Sequence, residues 1–306
     1  MSAIIIGHKN PDSDSIVAAI ACADLYAKRG LDVVAAAQGN PAPETAFILE
    51  RFGLKAPEVM TSVAGRDVYV VDYSDLAQAP DDFADCNLKG IVDHHKLGDM
   101  TSSSPVEAVI MPVGCTNTIL KRMYDYLGFA PSKEIAGAML CAILSDTVIF
   151  KSPTCTEADK KAAAELAAIA GINDIAALGM ELFTAKSAVK SVSARDLIMR
   201  DFKDFNMSGH KVGIGQLELV DIAILEDRIP ELVEELGKMK AEGRHTAILL
   251  LTDIMKEGSV LLMASDDPAK VAGAWGKTLG EGNVWLEGVM SRKKQVVPNL
   301  EAAFKA

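Results

Sequence analysis

Residues 3–15 read AIIIGHKNPDSDS, and this stretch decides how the first half of the chain is organised. The apolar run at its start predicts a short buried strand. Pro11 disfavours a helical backbone at Asn10, so the residues after the strand are expected to form a loop. A helix is predicted next, over about 15–29. A strand, a loop and a helix in this order favour a parallel α/β sheet.

The same alternation continues along the chain. Further strands are predicted at 32–37, 68–71 and 90–92, and helices at 43–52, 115–127, 132–144, 156–170 and 174–186. Strands that alternate with helices in this way form a parallel sheet with helices on its faces. We therefore predict an N-terminal α/β domain over residues 1–187, with a parallel sheet and helices on both faces.

A polar, weakly periodic stretch near residues 187–196 suggests the domain boundary. We place a hinge linker at 188–194 and a second domain at 195–306. The second domain has predicted strands at 211–217, 246–252 and 259–264, and a predicted helix at about 227–241. This mixture predicts a smaller α/β domain with a mixed sheet.

Composition excludes several classes of protein. The 306 residues carry a formal net charge of −11, and such an acidic chain does not attract a polyanion such as nucleic acid by its overall field. Aromatic residues make up 5%, too few for an evident platform on which bases could stack. No apolar stretch reaches the roughly 18 residues of a membrane helix. The five cysteines are odd in number and form no C-x-x-C pair, so we expect reduced thiols and a cytoplasmic location.

The loop after the first strand carries His8, Asp12 and Asp14. In an open parallel sheet the ligand crevice lies beyond the carboxyl ends of the strands, which is where this loop begins. Imidazole and carboxylate are suitable ligands for divalent metals such as Mn²⁺. An aspartate here could instead cap the following helix, but capping does not account for His8.

Other predicted strands and one apolar segment also end in polar side chains of the same types. Asp72 follows the strand VYVV, Asp93-His94-His95 follows GIV, and Asp146 follows the apolar segment CAILS. A single aspartate after a strand is often a turn residue, and Asp146 could be a cap. Two adjacent histidines are more unusual in a chain that has five, and they can serve different roles.

Three strand ends would present these groups at one edge of the sheet. Carboxylates that converge without cations repel one another, and at least one of them would have to stay protonated. Two or more divalent ions remove that conflict. Paired metals suit displacement at phosphorus, because they bind phosphate oxygens and offset charge on the attacking and leaving atoms.

A basic run, Ser291-Arg292-Lys293-Lys294, lies between apolar residues near the end of the acidic chain, as if on a strand or at its end. Basic runs are usually solvated surfaces. An arginine fork beside a lysine is nevertheless a suitable pair for binding phosphate. Lys203 is a weaker candidate, since its surroundings are those of a surface lysine.

Taken together, the motifs GHKNPDSDS, VVD, VDHH, SD and SRKK resemble those of the family II inorganic pyrophosphatases, the manganese-preferring members of the DHH phosphoesterase superfamily. The resemblance covers nearly the whole chain in length, motif order and spacing. The DHH motif marks the superfamily, whereas SRKK points to the pyrophosphatases. Nucleic-acid and nucleotide phosphoesterases of the superfamily usually carry a glycine-rich, His-containing motif in that region, which is not seen here.

The resemblance implies a role for each matching residue. His8, Asp12 and Asp72 would hold one metal, and Asp14, Asp72, His94 and Asp146 a second, with Asp72 bridging the two. His95 would contact substrate and assist protonation of the leaving phosphate, so that His95, Asp14 and Asp72 are the implied catalytic residues. Lys203, Arg292 and Lys293 would bind the phosphates, Asp93 would orient a histidine, and Lys294 would be peripheral.

The resemblance further implies hydrolysis of pyrophosphate to two orthophosphates at a di- or trinuclear metal site between two closing domains. Mn²⁺ or Co²⁺ would occupy the high-affinity sites, Mg²⁺ would arrive with the substrate, and the chain would form a homodimer through its N-terminal domain. No nucleic-acid or membrane partner is expected. The alternatives are a related DHH phosphoesterase acting on polyphosphate, short oligonucleotides or cyclic dinucleotides, and a catalytically silent metal- or phosphate-binding protein.

Overall fold

A computed structural model describes residues 1–186, 192–277 and 284–305. The chain divides into two compact units. The N-terminal unit comprises Met1–Phe150 and Thr154–Ala185, and the C-terminal unit comprises Lys151–Pro153 and Lys186–Ala306. The hinge expected at 188–194 falls partly on residues 188–191, which lie outside the described residues, so the hinge and the domain limits 1–187 and 195–306 stay predictions.

The N-terminal unit is built on a six-stranded sheet in which every pair of neighbouring strands is parallel. Its strands are Ala3–Ile6 (β1), Val33–Ala37 (β2), Glu58–Val59 (β3), Asp67–Val71 (β4), Asn87–Asp93 (β5) and Glu107–Ile110 (β6). The order across the sheet is β3-β2-β1-β4-β5-β6. The chain therefore moves outward in one direction from β1 and in the other direction from β4, which makes the gap between β1 and β4 the switch point where ligands bind.

Alternating side chains of the central strand β1 explain why it is buried on both faces. Ile5 packs into one apolar cluster, whereas Ile4 and Ile6 pack into another on the opposite face. The cluster around Ile5 is formed mainly by helices, and the opposite cluster includes Phe83 and other residues of short turns and loops. Successive strand residues point to opposite faces, so a continuous apolar run fits a strand that is covered on both sides.

The helices of the N-terminal unit within the described residues are Ser13–Lys28 (α1), Pro43–Arg51 (α2), Thr116–Tyr126 (α3), Lys133–Asp146 (α4), Glu157–Ala170 (α5) and Ile175–Lys186 (α6). Asp12 caps α1 by accepting a hydrogen bond from the backbone N–H of Ser15 at 2.9 Å, as expected for an aspartate at this position. No single described helix is long and apolar enough to cross a membrane, and only α5 and α6 reach that length together, as a pair bent by 94°.

The C-terminal unit contains a five-stranded sheet of order β11-β10-β9-β8-β7. Its strands are Phe202–Met207 (β7), His210–Leu219 (β8), Thr246–Asp253 (β9), Gly258–Ser265 (β10) and Val284–Glu287 (β11). Only β8 and β9 run parallel, so the sheet is mixed. Its described helices are Ala194–Met199 (α7), Ile229–Ala241 (α8), Pro268–Gly273 (α9) and Val297–Lys305 (α10). The predicted fold class is confirmed as a parallel N-terminal sheet flanked by helices and a C-terminal α/β domain with a mixed sheet.

Several strands escaped prediction, and they share a physical reason. β3 and β6 are edge strands with half-buried or exposed residues, and β7 (FKDFNM) has no regular alternation of apolar and polar residues. Such segments bury too little apolar surface to give a clear pattern. The prediction that the basic run 291–294 lies on a strand or at its end is wrong. Residues Arg292–Val296 form a helical turn that leads into α10. The Ser291 hydroxyl accepts a hydrogen bond from the backbone N–H of Lys294 at the start of this turn.

Candidate metal centre

Three of the predicted ligands meet at the switch point. His8, after β1, lies with its Nε2 atom 3.5 Å from Asp12 Oδ2 and 3.4 Å from Asp72 Oδ2, and Asp72 follows β4. Burial lowers the pKa of His8, but the two carboxylates outweigh burial and raise this pKa well above its usual value. The cluster His8–Asp12–Asp72 could hold a metal ion.

Asp72 lies at the centre of the site. It is 1% exposed and its φ of 68° places it in the left-handed region, which aspartate tolerates better than most residues. Its Oδ2 atom faces His8, while its Oδ1 atom lies 3.5 Å from His94 Nε2. Thr116 donates a hydrogen bond to Oδ1 at 2.9 Å. Each carboxylate oxygen therefore faces a different histidine.

The two histidines after β5 are held in different ways. His94 Nδ1 lies 3.0 Å from the backbone carbonyl of Val113, which leaves its Nε2 atom pointing at Asp72. His95 Nδ1 lies 2.9 Å from Asp93 Oδ1. Burial raises the pKa of Asp93, but the hydrogen bonds and charge of His95 outweigh burial and hold this pKa below its usual value. Asp93 is thus a charged group that orients the His95 ring.

Asp72, His94 and His95 form a second cluster that could hold a metal ion. The remaining two predicted ligands, Asp14 and Asp146, form a third such cluster with Cys115. Asp14 faces the first turn of α3. Its carboxylate accepts hydrogen bonds from the Cys115 thiol at 2.9 Å, the backbone N–H of Thr116 at 2.7 Å and the Asn117 amide at 2.6 Å. The amino end of a helix favours an anion, so this placement stabilises the ionised carboxylate.

The carboxylates of the centre repel one another strongly. Burial and the nearby Asp14 carboxylate raise the pKa of Asp72 well above its usual range, and the same causes raise the pKa of Asp146. Burial also raises the pKa of Asp14, but the charge of His94 and hydrogen bonds outweigh burial, and the net shift is downward. Divalent cations would remove this conflict, as the sequence led us to expect.

The spacing of the donor atoms fits metal ligation. Separations of 3.4 to 3.5 Å between imidazole nitrogens and carboxylate oxygens are long for hydrogen bonds. Two atoms that each lie about 2.1 Å from a common ion are about 3 to 3.5 Å apart at ordinary coordination angles. Nitrogen and oxygen donors of this kind suit Mn²⁺ and similar ions. The residues present therefore fit a divalent-metal centre.

The predicted phosphate-binding side chains belong to the C-terminal unit. Arg292 donates hydrogen bonds to the backbone carbonyls of Asp201 and Ile214 at 2.6 and 3.2 Å and to the Asp201 carboxylate at 2.6 Å. Lys203 lies on β7 and pairs with Ile214 on the neighbouring strand β8. Lys293 adjoins Arg292, so this unit brings the backbones of all three candidates to one region. Lys203 is half-buried on a strand, which differs from the expected surface position.

Sequence reasoning missed residues that support the ligands. Cys115, Thr116 and Asn117 form the start of α3, and nothing in the stretch GCTN predicts that they contact Asp14 or Asp72. A weak signal was available, because polar residues at a helix start are common anion-binding groups. Contacts between segments about 100 residues apart depend on packing, which local patterns do not encode.

Comparison with known proteins identifies relatives of both units. Residues 2–143 match the DHH family, N-terminal domain, and residues 180–303 match the DHHA2 domain. A probable manganese-dependent inorganic pyrophosphatase of Archaeoglobus fulgidus is 50% identical over 98% of this chain and 97% of its own length. A manganese-dependent inorganic pyrophosphatase of Methanocaldococcus jannaschii is 43% identical over 98% of each chain.

Solved structures show the same architecture. The crystal structure of a putative family II inorganic pyrophosphatase of Methanococcus jannaschii covers 100% of both chains with a TM-score of 0.87 and 41% identity. An exopolyphosphatase-related protein of Bacteroides fragilis matches with a TM-score of 0.52 at 14% identity, over 99% of this chain and 92% of its own. At that identity the second likeness shows the fold alone.

Proposed function

The chain belongs to the manganese-dependent, or family II, inorganic pyrophosphatases. On that premise we propose that six side chains of its N-terminal unit hold the metal ions used in catalysis: His8, Asp12, Asp14, Asp72, His94 and Asp146. It is a hydrolase that converts pyrophosphate to two orthophosphates. One observation supports the assignment of the site most strongly: the two oxygens of Asp72 face different histidines, His8 and His94.

We assign the ligands as follows. His8, Asp12 and Asp72 hold one ion, while Asp14, Asp72, His94 and Asp146 hold the other. When bound, such ions supply Lewis-acid activation of water and neutralise charge on phosphate oxygens. The protein's own contribution is to fix the ligands: the Thr116 hydroxyl holds Asp72, and the start of α3 holds Asp14.

His95 is the proposed acid near the substrate. Asp93 binds its Nδ1 atom, which fixes the orientation of the ring. His95 then contacts a phosphate and donates a proton to the leaving group, while the carboxylates of Asp14 and Asp72 complete the catalytic set. In the C-terminal unit, Lys203, Arg292 and Lys293 are the proposed phosphate-binding cations.

The test is phosphate release from pyrophosphate, tripolyphosphate and a dinucleotide, each measured in Mn²⁺. We expect pyrophosphate to be hydrolysed fastest by a wide margin. Slow turnover of pyrophosphate beside fast turnover of the dinucleotide would overturn the proposal, and preference for tripolyphosphate would favour a polyphosphatase. Measuring the same rates with Co²⁺ and with Mg²⁺ tests the proposal that Co²⁺ can replace Mn²⁺ and that Mg²⁺ enters with the substrate.

Assembly and location stay predictions. A homodimer formed through the N-terminal unit would show as a mass of about twice 32.5 kDa by light scattering. The cytoplasmic location was expected from the cysteine content, and all five cysteines are free thiols in the structure. Nucleic acid and membranes are not among the proposed partners.

A further inference from the structure

A buried carboxylate outside the assigned ligands, Glu44, connects two segments of the metal centre. Glu44 is 6% exposed and lies in the first turn of α2. Its Oε2 atom accepts a hydrogen bond from the Ser13 hydroxyl at 3.0 Å, and its Oε1 atom accepts one from the Ser145 hydroxyl at 2.8 Å. The Thr45 hydroxyl also lies 2.9 Å from that of Ser13.

The two serines are neighbours of proposed ligands. Ser13 lies between Asp12 and Asp14 at the start of α1, and Ser145 directly precedes Asp146 at the end of α4. Glu44 therefore connects the segments that carry three proposed ligands, although it is 31 residues from Ser13 and 101 from Ser145.

Only a carboxylate suits this position well. An ionised carboxylate has two acceptor oxygens and can accept from both hydroxyls at once, whereas a glutamine offers one acceptor oxygen and an amide group that donates. The start of α2 has no side-chain cap, so the positive end of the helix dipole favours an anion there. A buried charge costs free energy unless it is hydrogen-bonded, and the serine hydroxyls supply such bonds.

The apolar packing of α1 and α4 does not by itself fix their polar ends. Val17, Ala21 and Leu140 belong to one buried cluster that holds the two helices together. The hydrophobic effect that drives this packing is not directional, so it does not orient polar side chains at the helix ends. Hydrogen bonds to a shared carboxylate have defined lengths and angles, so they restrict shifts at the ligands.

We propose that Glu44 is a positioning residue of the metal centre, which sets the separation of Asp12 and Asp14 from Asp146 by binding both Ser13 and Ser145. The proposal rests on the proposed function, because it requires these aspartates to be metal ligands. Glu44 itself contacts neither metal nor substrate. Groups that orient ligands through hydrogen bonds typically change metal affinity by about 10- to 100-fold when they are removed.

The experiment titrates full-length protein with Mn²⁺ and measures free Mn²⁺ by electron paramagnetic resonance. We expect Glu44→Ala to raise the Kd for Mn²⁺ about 10- to 100-fold and Glu44→Gln to have a smaller effect, since it keeps one acceptor. At saturating Mn²⁺, kcat should recover most of its wild-type value, because no group that touches substrate has been removed. The absorption of the Co²⁺ form should shift in Glu44→Ala, reporting altered ligand geometry.

Asp253 provides the matched control. It is a fully buried carboxylate of the C-terminal unit that accepts hydrogen bonds from the backbone N–H groups of Met255 and Lys256 at 3.1 and 2.9 Å. Asp253→Asn should lower stability and leave the Kd for Mn²⁺ within twofold of wild type. Equal weakening of Mn²⁺ binding by Asp253→Asn and Glu44→Ala would mean that the effect is general destabilisation, and would overturn the proposal.

Smaller changes keep the test decisive if Glu44→Ala fails to fold. Ser13→Ala and Ser145→Ala each remove one hydrogen bond to Glu44. Their effects on the Kd should be non-additive in the double variant, because both act through Glu44. Unchanged Kd values in the Glu44 variants, or additive effects of the two serine substitutions, would contradict the positioning role of Glu44 without contradicting the proposed function. A wild-type protein that binds no Mn²⁺ would instead contradict the proposed function.

Discussion

A single aspartate after a strand gives little sign of its importance in the sequence. The sequence is compatible with Asp72 as a turn residue, and in the structure it lies at a bend directly after β4, with a φ of 68°. Its importance comes from what surrounds it, since His8, His94 and Thr116 all lie within 3.5 Å of its carboxylate oxygens. The strained backbone is consistent with a residue held for its function.

Replacing Asp72 tests the shared ligand. We expect Asp72→Ala to lose both activity and bound Mn²⁺, because it removes a proposed ligand of both ions. Metal content after gel filtration and phosphate release from pyrophosphate are the measurements. A variant that keeps wild-type metal content would show that Asp72 does not bridge two ions.

The half-buried cysteines allow a prediction about pH. Burial is the main cause that raises the pKa of Cys86 and of Cys155 to about 11. An ordinary thiol has a pKa of about 8.5. At pH 8 each native thiolate is on the order of 100-fold less populated than in an unfolded chain. Alkylation by iodoacetamide, followed by mass spectrometry, should therefore be slow at pH 8 and accelerate toward pH 11.

The sign of the linked stability follows from the same shift. Because the folded state holds the thiol proton more tightly, each cysteine contributes stability that is fully present below about pH 8.5. This contribution is lost as the pH rises through 11, so the midpoint of urea unfolding should fall over that range. Rapid labelling of both native thiols at pH 8 would contradict the pKa shifts.

Two helical glycines show how packing decides the effect of one substitution. A Cβ atom added to Gly137, within α4, would overlap the ring of Phe52. A Cβ atom added to Gly237, on the exposed surface of α8, would have no other atom within 4 Å. Glycine in a helix costs about 0.5–1 kcal/mol relative to alanine. The local sequence alone would predict that both changes to alanine stabilise the protein.

We expect the two substitutions to have opposite signs. Gly237→Ala should raise the free energy of unfolding by about 0.5–1 kcal/mol, because it reduces the freedom of the unfolded chain. Gly137→Ala should lower it by about 1–3 kcal/mol, because the Phe52 ring must move. Urea unfolding in EDTA measures both without a contribution from metal. Stabilisation by both would show that the Phe52 contact yields easily.

The polar ends of helices, more than their apolar faces, organise the metal centre. The start of α1 carries Asp12 and Asp14, the start of α3 binds Asp14, the start of α2 supplies Glu44, and α4 ends in Asp146. The free N–H groups at the starts of helices favour the carboxylates placed there, whereas Asp146, at the carboxyl end of α4, gains nothing from the helix dipole.

At the scale of the whole molecule, we propose that the two units have different roles. The proposed metal ligands belong to the N-terminal unit, and the proposed phosphate-binding cations belong to the C-terminal unit. The hinge at 188–194 that the family resemblance implies stays a prediction. This division predicts that metal binding and phosphate binding can be impaired separately.

Arg292 tests that division. Arg292→Ala should lower kcat/KM for pyrophosphate by about 10- to 100-fold, since a charge-assisted contact is worth about 1.5–3 kcal/mol. The Kd for Mn²⁺ should stay within twofold of wild type. Parallel loss of Mn²⁺ binding would contradict the assignment of Arg292 to the substrate.

The sequence by itself determined the fold class, the central strands and the identity of the candidate ligands. Strand β1, for example, is an unbroken apolar run followed at once by His8, and both features can be read locally. The resemblance of the motifs then identified the family, which the comparisons confirm.

Only the tertiary structure decided which side chains meet. It placed β1 beside β4, so that His8 and Asp72 lie at one switch point, and it set Asp14 against the start of α3. It also joined Ser13 and Ser145 through Glu44, a residue that no sequence motif singled out. The physical reason is that hydrogen bonding and apolar periodicity act over a few residues, whereas contacts across 30 to 100 residues depend on sheet order and helix packing.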